Sequence, residues 1–209
     1  MTIGFYLIVI LVLGYCSVNL RERLNLAWLK PLTWLGIFIH ESSHALACII
    51  TGGRVTGFQV NARAGAVSHY QAKVPVIGPM LIAIAPILGG LAAIGLLNHF
   101  WLQTSLGVSS ASIWLTFLDV VRSFNFLTLS AWALIVLLLN VGVMLGPSVQ
   151  DLKNIWPLVI LSFFISSQAV AQILALVIVL IAINIILFFL IWLIKSLFKK
   201  PYGNYQRSN

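Results

Sequence analysis

Five long apolar runs constrain this 209-residue chain more than any single motif does. They cover residues 3–20, 32–51, 75–97, 126–146 and 155–194. About 20 apolar residues suffice for a helix to cross a bilayer. The chain is 61% hydrophobic and 8% charged, against about 25% charged in soluble domains. The expected fold class is therefore an all-α polytopic membrane protein with five or six transmembrane helices. All of residues 1–209 belong to one membrane domain, with no room for a separate soluble one. The count turns on the last run, which is long enough for two tight spans or for one span and a half-helix. Ser166, Ser167 and Gln168 are the natural place for it to break.

The net charge of +8 does not point to nucleic acid, because the basic residues are not clustered with aromatics in a polar region. They sit in short loops and in the tail from 195 to 209, where positive charge sets membrane orientation. With six spans the 52–73 interval and the tail share a side, which the positive-inside rule makes the cytoplasm. The expected location is thus the cell membrane, multi-pass, with the lipid bilayer as one partner. Cys16 and Cys48 lie inside apolar segments, so no disulfide framework is implied. The N-terminus lacks a basic leader and a small-residue cleavage site, so it reads as a retained helix.

The 52–73 interval is where β-structure is expected. Phe58, Val60, Ala62 and Ala64 alternate with Gln59, Asn61 and Arg63, the period-2 pattern of a strand. Gly65 marks a turn, and a second short strand runs through Tyr70. The third run holds Ala85, Gly89 and Ala93, a small-xxx-small spacing that lets a neighbouring helix approach. Residues 98–125 are mixed, with an interfacial helix around "SIWLTFLDVVRSF".

The second run is unusual for carrying His40, Glu41 and His44, spelling HExxH, in its middle. Helical residues four apart share a face, so both imidazoles can reach one ion with Glu41 beside them. Neutral imidazole suits Zn²⁺, and a catalytic site takes three protein ligands and keeps one position open. A neighbouring carboxylate can then act as general base. Polar groups at mid-bilayer are costly and persist mainly where they line a functional cavity. The bland alternatives are a chance match or a structural polar network.

A third ligand must come from elsewhere. Cys48 continues the histidine face but stands about 12 Å along the helix from His40, and reads as core. Asp119 is three residues before Arg122, a spacing for an intrahelical ion pair. Asp151 follows a long apolar helix and a Gly-Pro break, where non-helical backbone can turn a carboxylate inward. Asp151 is the favoured ligand; pairing with Lys153 is its bland reading. His69 and His99 read as loop or interface residues, although His69 closely follows the motif helix.

The stretches "HESSHALACIITGGRV", "NARAGAVSHY", "IAIAPILGG" and "GPSVQDLKN" together resemble the site-2 proteases, intramembrane zinc metalloproteases, in their small branch without soluble domains. The resemblance implies that His40, His44 and Asp151 bind zinc and that Glu41 is the general base. Asn140 stands where the family holds substrate, but Asn140 and Pro147 are spaced differently from the family pattern and Leu152 replaces a glycine. It also suggests a use for the hairpin. A substrate helix must unwind before its amide can be attacked, and a strand edge near Val60 and Asn61 could hold it extended; the rival use is to cap the cavity. The implied activity is a metalloendopeptidase cutting a transmembrane segment of another membrane protein. With no soluble domain to choose substrates, selection is expected to depend on a regulatory partner or on prior trimming of the substrate. The alternative is a non-catalytic membrane protein whose metal is structural or transport-related.

Overall fold

The computed structural model describes residues 2–24, 33–61, 65–70, 72–102 and 111–197. Among them, α1 (Ile3–Leu24) and α2 (Trp34–Ile50) precede a hairpin of β1 (Val55–Val60) and β2 (Gly65–His69). Then follow α3 (Ile77–Leu97), α4 (Ile113–Ser123), α5 (Leu129–Val141), α6 (Val149–Ser162) and α7 (Gln168–Leu197). Helices α1, α3 and α7 are long and apolar enough to cross a membrane, and α2 and α5 are shorter apolar helices of 17 and 13 residues. At 1.5 Å per residue these two run about 26 and 20 Å, less than a hydrocarbon core of about 30 Å. Large apolar side chains such as Val12, Ile49, Leu88, Ile173 and Leu193 face outward, the surface lipid tails would meet. The chain is a polytopic membrane protein, mostly helical, with one small hairpin.

Several boundaries differ from those the apolar runs suggest, each for a local reason. Helix α5 is shorter than the 126–146 run. It starts after a turn in which Asn125 Oδ1 accepts from Leu127 N–H, with the Thr128 side chain accepting from Ala131 N–H as N-cap. It ends in a 3-10 turn, Gly142–Met144. Helix α6 begins six residues before the last run, because Ser148 and Asp151 form a capping box around its N-terminus. The break between α6 and α7 falls at 163–167, next to the expected Ser166 to Gln168. Helix α4 falls within the stretch expected to form a helix and is N-capped by Ser112.

The strands pair antiparallel, with Phe58 opposite Val67 and Val60 opposite Gly65, and a bulge between Val55 and Gly57. The second strand ends at His69, one residue before Tyr70. Ala62, Arg63 and Ala64, expected to extend the first, lie outside the described residues, as does the tail from 198 onward. The hairpin is held against α2 by an edge-to-face contact of Phe58 with Phe38, ring centroids 6.2 Å apart.

The apolar core gathers Ile10, Leu134, Leu138, Leu145, Ile155 and Ile181 from α1, α5, α6, α7 and the 145–148 link. That link is non-helical backbone, tolerable at membrane depth only where protein covers it. Here Leu145, Gly146 and Pro147 are all buried. Gly146 meets Gly14 of α1 so closely that a Cβ on Gly14 would stand 2.6 Å from the Cα of Gly146. The two glycines let the link sit deep enough to aim the start of α6 at the middle of α2.

Candidate metal centre

His40 and His44 lie on successive turns of α2, their rings edge to face with centroids 4.8 Å apart. Each ring is fixed through Nδ1. His40 Nδ1 bonds the carbonyl of Met144 at 2.9 Å, and His44 Nδ1 bonds the carbonyl of Ile82 at 2.9 Å. A carbonyl only accepts, so both Nδ1 atoms carry the proton and both Nε2 atoms of the neutral rings carry lone pairs. Those Nε2 atoms are 3.2 Å apart.

Asp151 completes the group from the first turn of α6. Its Oδ2 accepts from Ser148 N–H at 2.7 Å while Ser148 Oγ accepts from Asp151 N–H. Held this way, the carboxylate places Oδ1 3.5 Å from His44 Nε2 and Oδ2 3.9 Å from His40 Nε2. His40 and Asp151 are buried, at 7% and 5% exposure.

The geometry suits a metal ion on two counts. Ligand atoms at about 2.0–2.1 Å from one tetrahedral ion stand roughly 3.3 Å apart, close to the separations found. The converging atoms are also acceptors with no donor among them, an arrangement that a cation resolves. Among the described residues, His40, His44 and Asp151 are the group of three able to hold a metal, their ligand atoms all within 4.8 Å of one another.

A cavity of about 470 Å³ opens beside the cluster. His40, Glu41 and His44 line it from α2, Gly65, Val67 and His69 from β2, and Ser148, Gln150, Asp151 and Asn154 from the start of α6. Glu41 is half-buried and lies under the hairpin, so that a Cβ on Gly65 would come within 2.8 Å of its Oε1. Only glycine there lets β2 cross the carboxylate.

A family model described as Peptidase M50B-like matches residues 4–177. The chain belongs to that family, the site-2 protease family of intramembrane metalloproteases. No curated protein and no solved structure matched it. Membership implies an intramembrane metalloprotease, and zinc dependence is general in the family.

The structure thus brings together His40, Glu41, His44 and Asp151, and sets other candidates apart. Asn140 does not line the cavity; its Oδ1 accepts from Gly36 N–H at 2.9 Å, in the first turn of α2. That N–H has no partner within its own helix, so Asn140 fastens α5 to the start of the motif helix. Val60 and Asn61 also lie outside the cavity lining, which takes its strand residues from β2. His69 reaches the cavity but not the metal group, and Cys48 is fully buried. Asp119 lies on α4, outside the group. Sequence reasoning missed the carbonyls of Ile82 and Met144, which no side-chain motif encodes. It also missed Ser148, although Ser148-x-x-Asp151 is a readable capping signal.

Proposed function

We propose that this protein is an intramembrane zinc endopeptidase that cleaves a transmembrane segment of another membrane protein. The observation that carries the reading is the convergence of His40 Nε2, His44 Nε2 and the Asp151 carboxylate on one point, at the wall of a cavity that Glu41 also lines. Three protein ligands leave a fourth position open, as catalytic sites do, whereas structural zinc sites use four.

Bound there, zinc supplies a Lewis acid and lowers the pKa of a water towards about 7. The remaining work falls to the chain's own groups. The carbonyls of Ile82 and Met144 keep both imidazoles turned with Nε2 inward. Glu41 takes the proton of the attacking water on a carboxylate oxygen and returns it to the leaving nitrogen. Burial among α2, α3 and α6 limits access of bulk water.

The substrate enters unwound. Strand β2 forms one wall of the cavity and the first turns of α6 another, so an extended backbone can lie along the hairpin by strand addition. Gln150 and Asn154 face it from α6 and offer side-chain amides. Asn154, which lines the cavity, suits that task better than Asn140, which is engaged with α2. The hairpin side of the membrane is taken as cytoplasmic, from the basic residues of the 52–73 interval. Substrate choice rests on a regulatory partner or on prior trimming of the substrate.

The test is Glu41→Gln in purified protein with a membrane-embedded substrate. The variant should keep its zinc and lose cleavage by about 10²–10⁴-fold. Cleavage at the wild-type rate would remove Glu41 from the chemistry.

A further inference from the structure

Each carbonyl that orients a metal histidine belongs to a residue three or four positions before a proline: Met144 before Pro147 and Ile82 before Pro86. In an α-helix the C=O of residue i accepts from the N–H of residue i+4, so the carbonyl of Ile82 would ordinarily be taken by residue 86. That residue is Pro86, buried inside α3, and proline has no N–H. The carbonyl left open is the one that His44 Nδ1 bonds at 2.9 Å. At the other histidine, the 3-10 turn 142–144 ends at Met144. Continued 3-10 bonding would use the N–H of residue 147, which is Pro147 and has none. Continued α-helical bonding would use Ser148 N–H, which is turned instead to Asp151 Oδ2 at 2.7 Å. His40 Nδ1 bonds that Met144 carbonyl at 2.9 Å.

We infer that Pro86 and Pro147 are positioning residues for the metal site: each withholds a backbone N–H so that a carbonyl within the membrane is left to hold the Nδ1–H of a metal histidine. The arrangement fixes the tautomer as well as the ring. With Nδ1 protonated, each Nε2 must present its lone pair, and two such rings with one carboxylate are preorganised as ligands. Another proline, inside a helix away from the histidines, supplies the contrast. Pro157 inside α6 likewise withholds an N–H, from the carbonyl of Lys153, and neither metal histidine bonds there.

The inference rests on the site holding zinc but not on the protein cutting a peptide. The experiment compares the full chain with Pro86→Ala, Pro147→Ala and Pro157→Ala in detergent. Zinc affinity is read by competition with a chromophoric chelator, and the His44 and His40 Nδ1–H signals by ¹⁵N-histidine NMR of the metal-free protein. Loss of an outer-shell partner of a metal histidine typically costs 10–100-fold in affinity. A carbonyl has two lone pairs, so a restored N–H competes rather than displaces. The expected loss is therefore about tenfold for Pro86→Ala and for Pro147→Ala, with none for Pro157→Ala. In Pro86→Ala the His44 Nδ1–H signal should move towards that of a weaker hydrogen bond, while that of His40 stays.

Wild-type zinc affinity in Pro86→Ala would overturn the inference. So would a loss of affinity with the His44 signal unmoved, since the proline would then act through helix shape alone. A wild-type protein that takes no zinc would overturn this inference together with the proposed function, whereas zinc bound without peptide cleavage would remove the proposed function alone.

Discussion

Helices α1 and α7 meet by apolar packing, with Leu7, Ile10, Ile178 and Ile181 buried in the core, whereas α2 and α3 meet through small residues and a histidine. Gly89 of α3 takes the side chain of Ser43 where a Cβ would stand, as the small-xxx-small spacing of the third run anticipates. His44 then ties α2 to the Ile82 carbonyl. The first pair has one polar fastening: Ser17 Oγ donates to Asn184 Oδ1 at 3.3 Å, and Asn184 Nδ2 donates to the Leu138 carbonyl at 2.6 Å. Both pairs are buried, but they spend polarity differently. In the α1–α7 pair the buried side chains of Ser17 and Asn184 are satisfied by other protein groups and the result is a frame. In the α2–α3 pair the bonds leave two histidine Nε2 acceptors over, which the Asp151 carboxylate of α6 joins, and the result is a site.

Perturbing each half should separate stability from chemistry. Glu41→Gln, with its expected loss of about 10²–10⁴-fold in cleavage, gives the largest effect on activity. Next is Gly65→Val, which forces β2 or the Glu41 carboxylate to move. A displacement of about 1 Å at a reacting group can cost 10²-fold. A cleavage assay beside a zinc determination should therefore show activity down by up to that factor and metal content unchanged. Wild-type activity in Gly65→Val would mean that the hairpin does not constrain the base.

The frame should respond in the opposite sense. Asn184→Leu removes two buried hydrogen bonds, worth about 0.6–2 kcal/mol each within a membrane. It should lower the melting temperature while zinc stays bound. The smallest effect is expected of Ile178→Val, about 0.5–1.5 kcal/mol in stability, with zinc and cleavage at wild-type levels. Loss of metal in Ile178→Val would show that the two halves are less separate than their bonding suggests.

The parts legible in the sequence are those that depend on neighbours along the chain. The apolar runs, the break near Ser166, the period-2 stretch at Phe58 and the i, i+4 spacing of His40 and His44 are local signals, and each has its counterpart in the fold. Asp151 was reachable because few acids were available and one followed a Gly-Pro break. Asn140 was not, since its partner Gly36 is 104 residues away and the pairing leaves no trace in either local pattern. The short α5 and the early start of α6 were hidden by hydropathy, which counts apolar residues and ignores caps. Hydropathy took in the capping turn before Leu129 and the 3-10 turn after Val141, and it started late at Ile155, where Ser148 and Asp151 had already begun a helix.

The central claim is that α2 and α6 jointly make one three-ligand zinc site. Its most direct test is zinc content per purified chain for the wild type and Asp151→Ala, with His44→Ala as the reference for a broken site. About one zinc in the wild type and none in either variant is the result this structure predicts. Zinc retained at full occupancy without Asp151, or no zinc in the wild type after reloading, would contradict it.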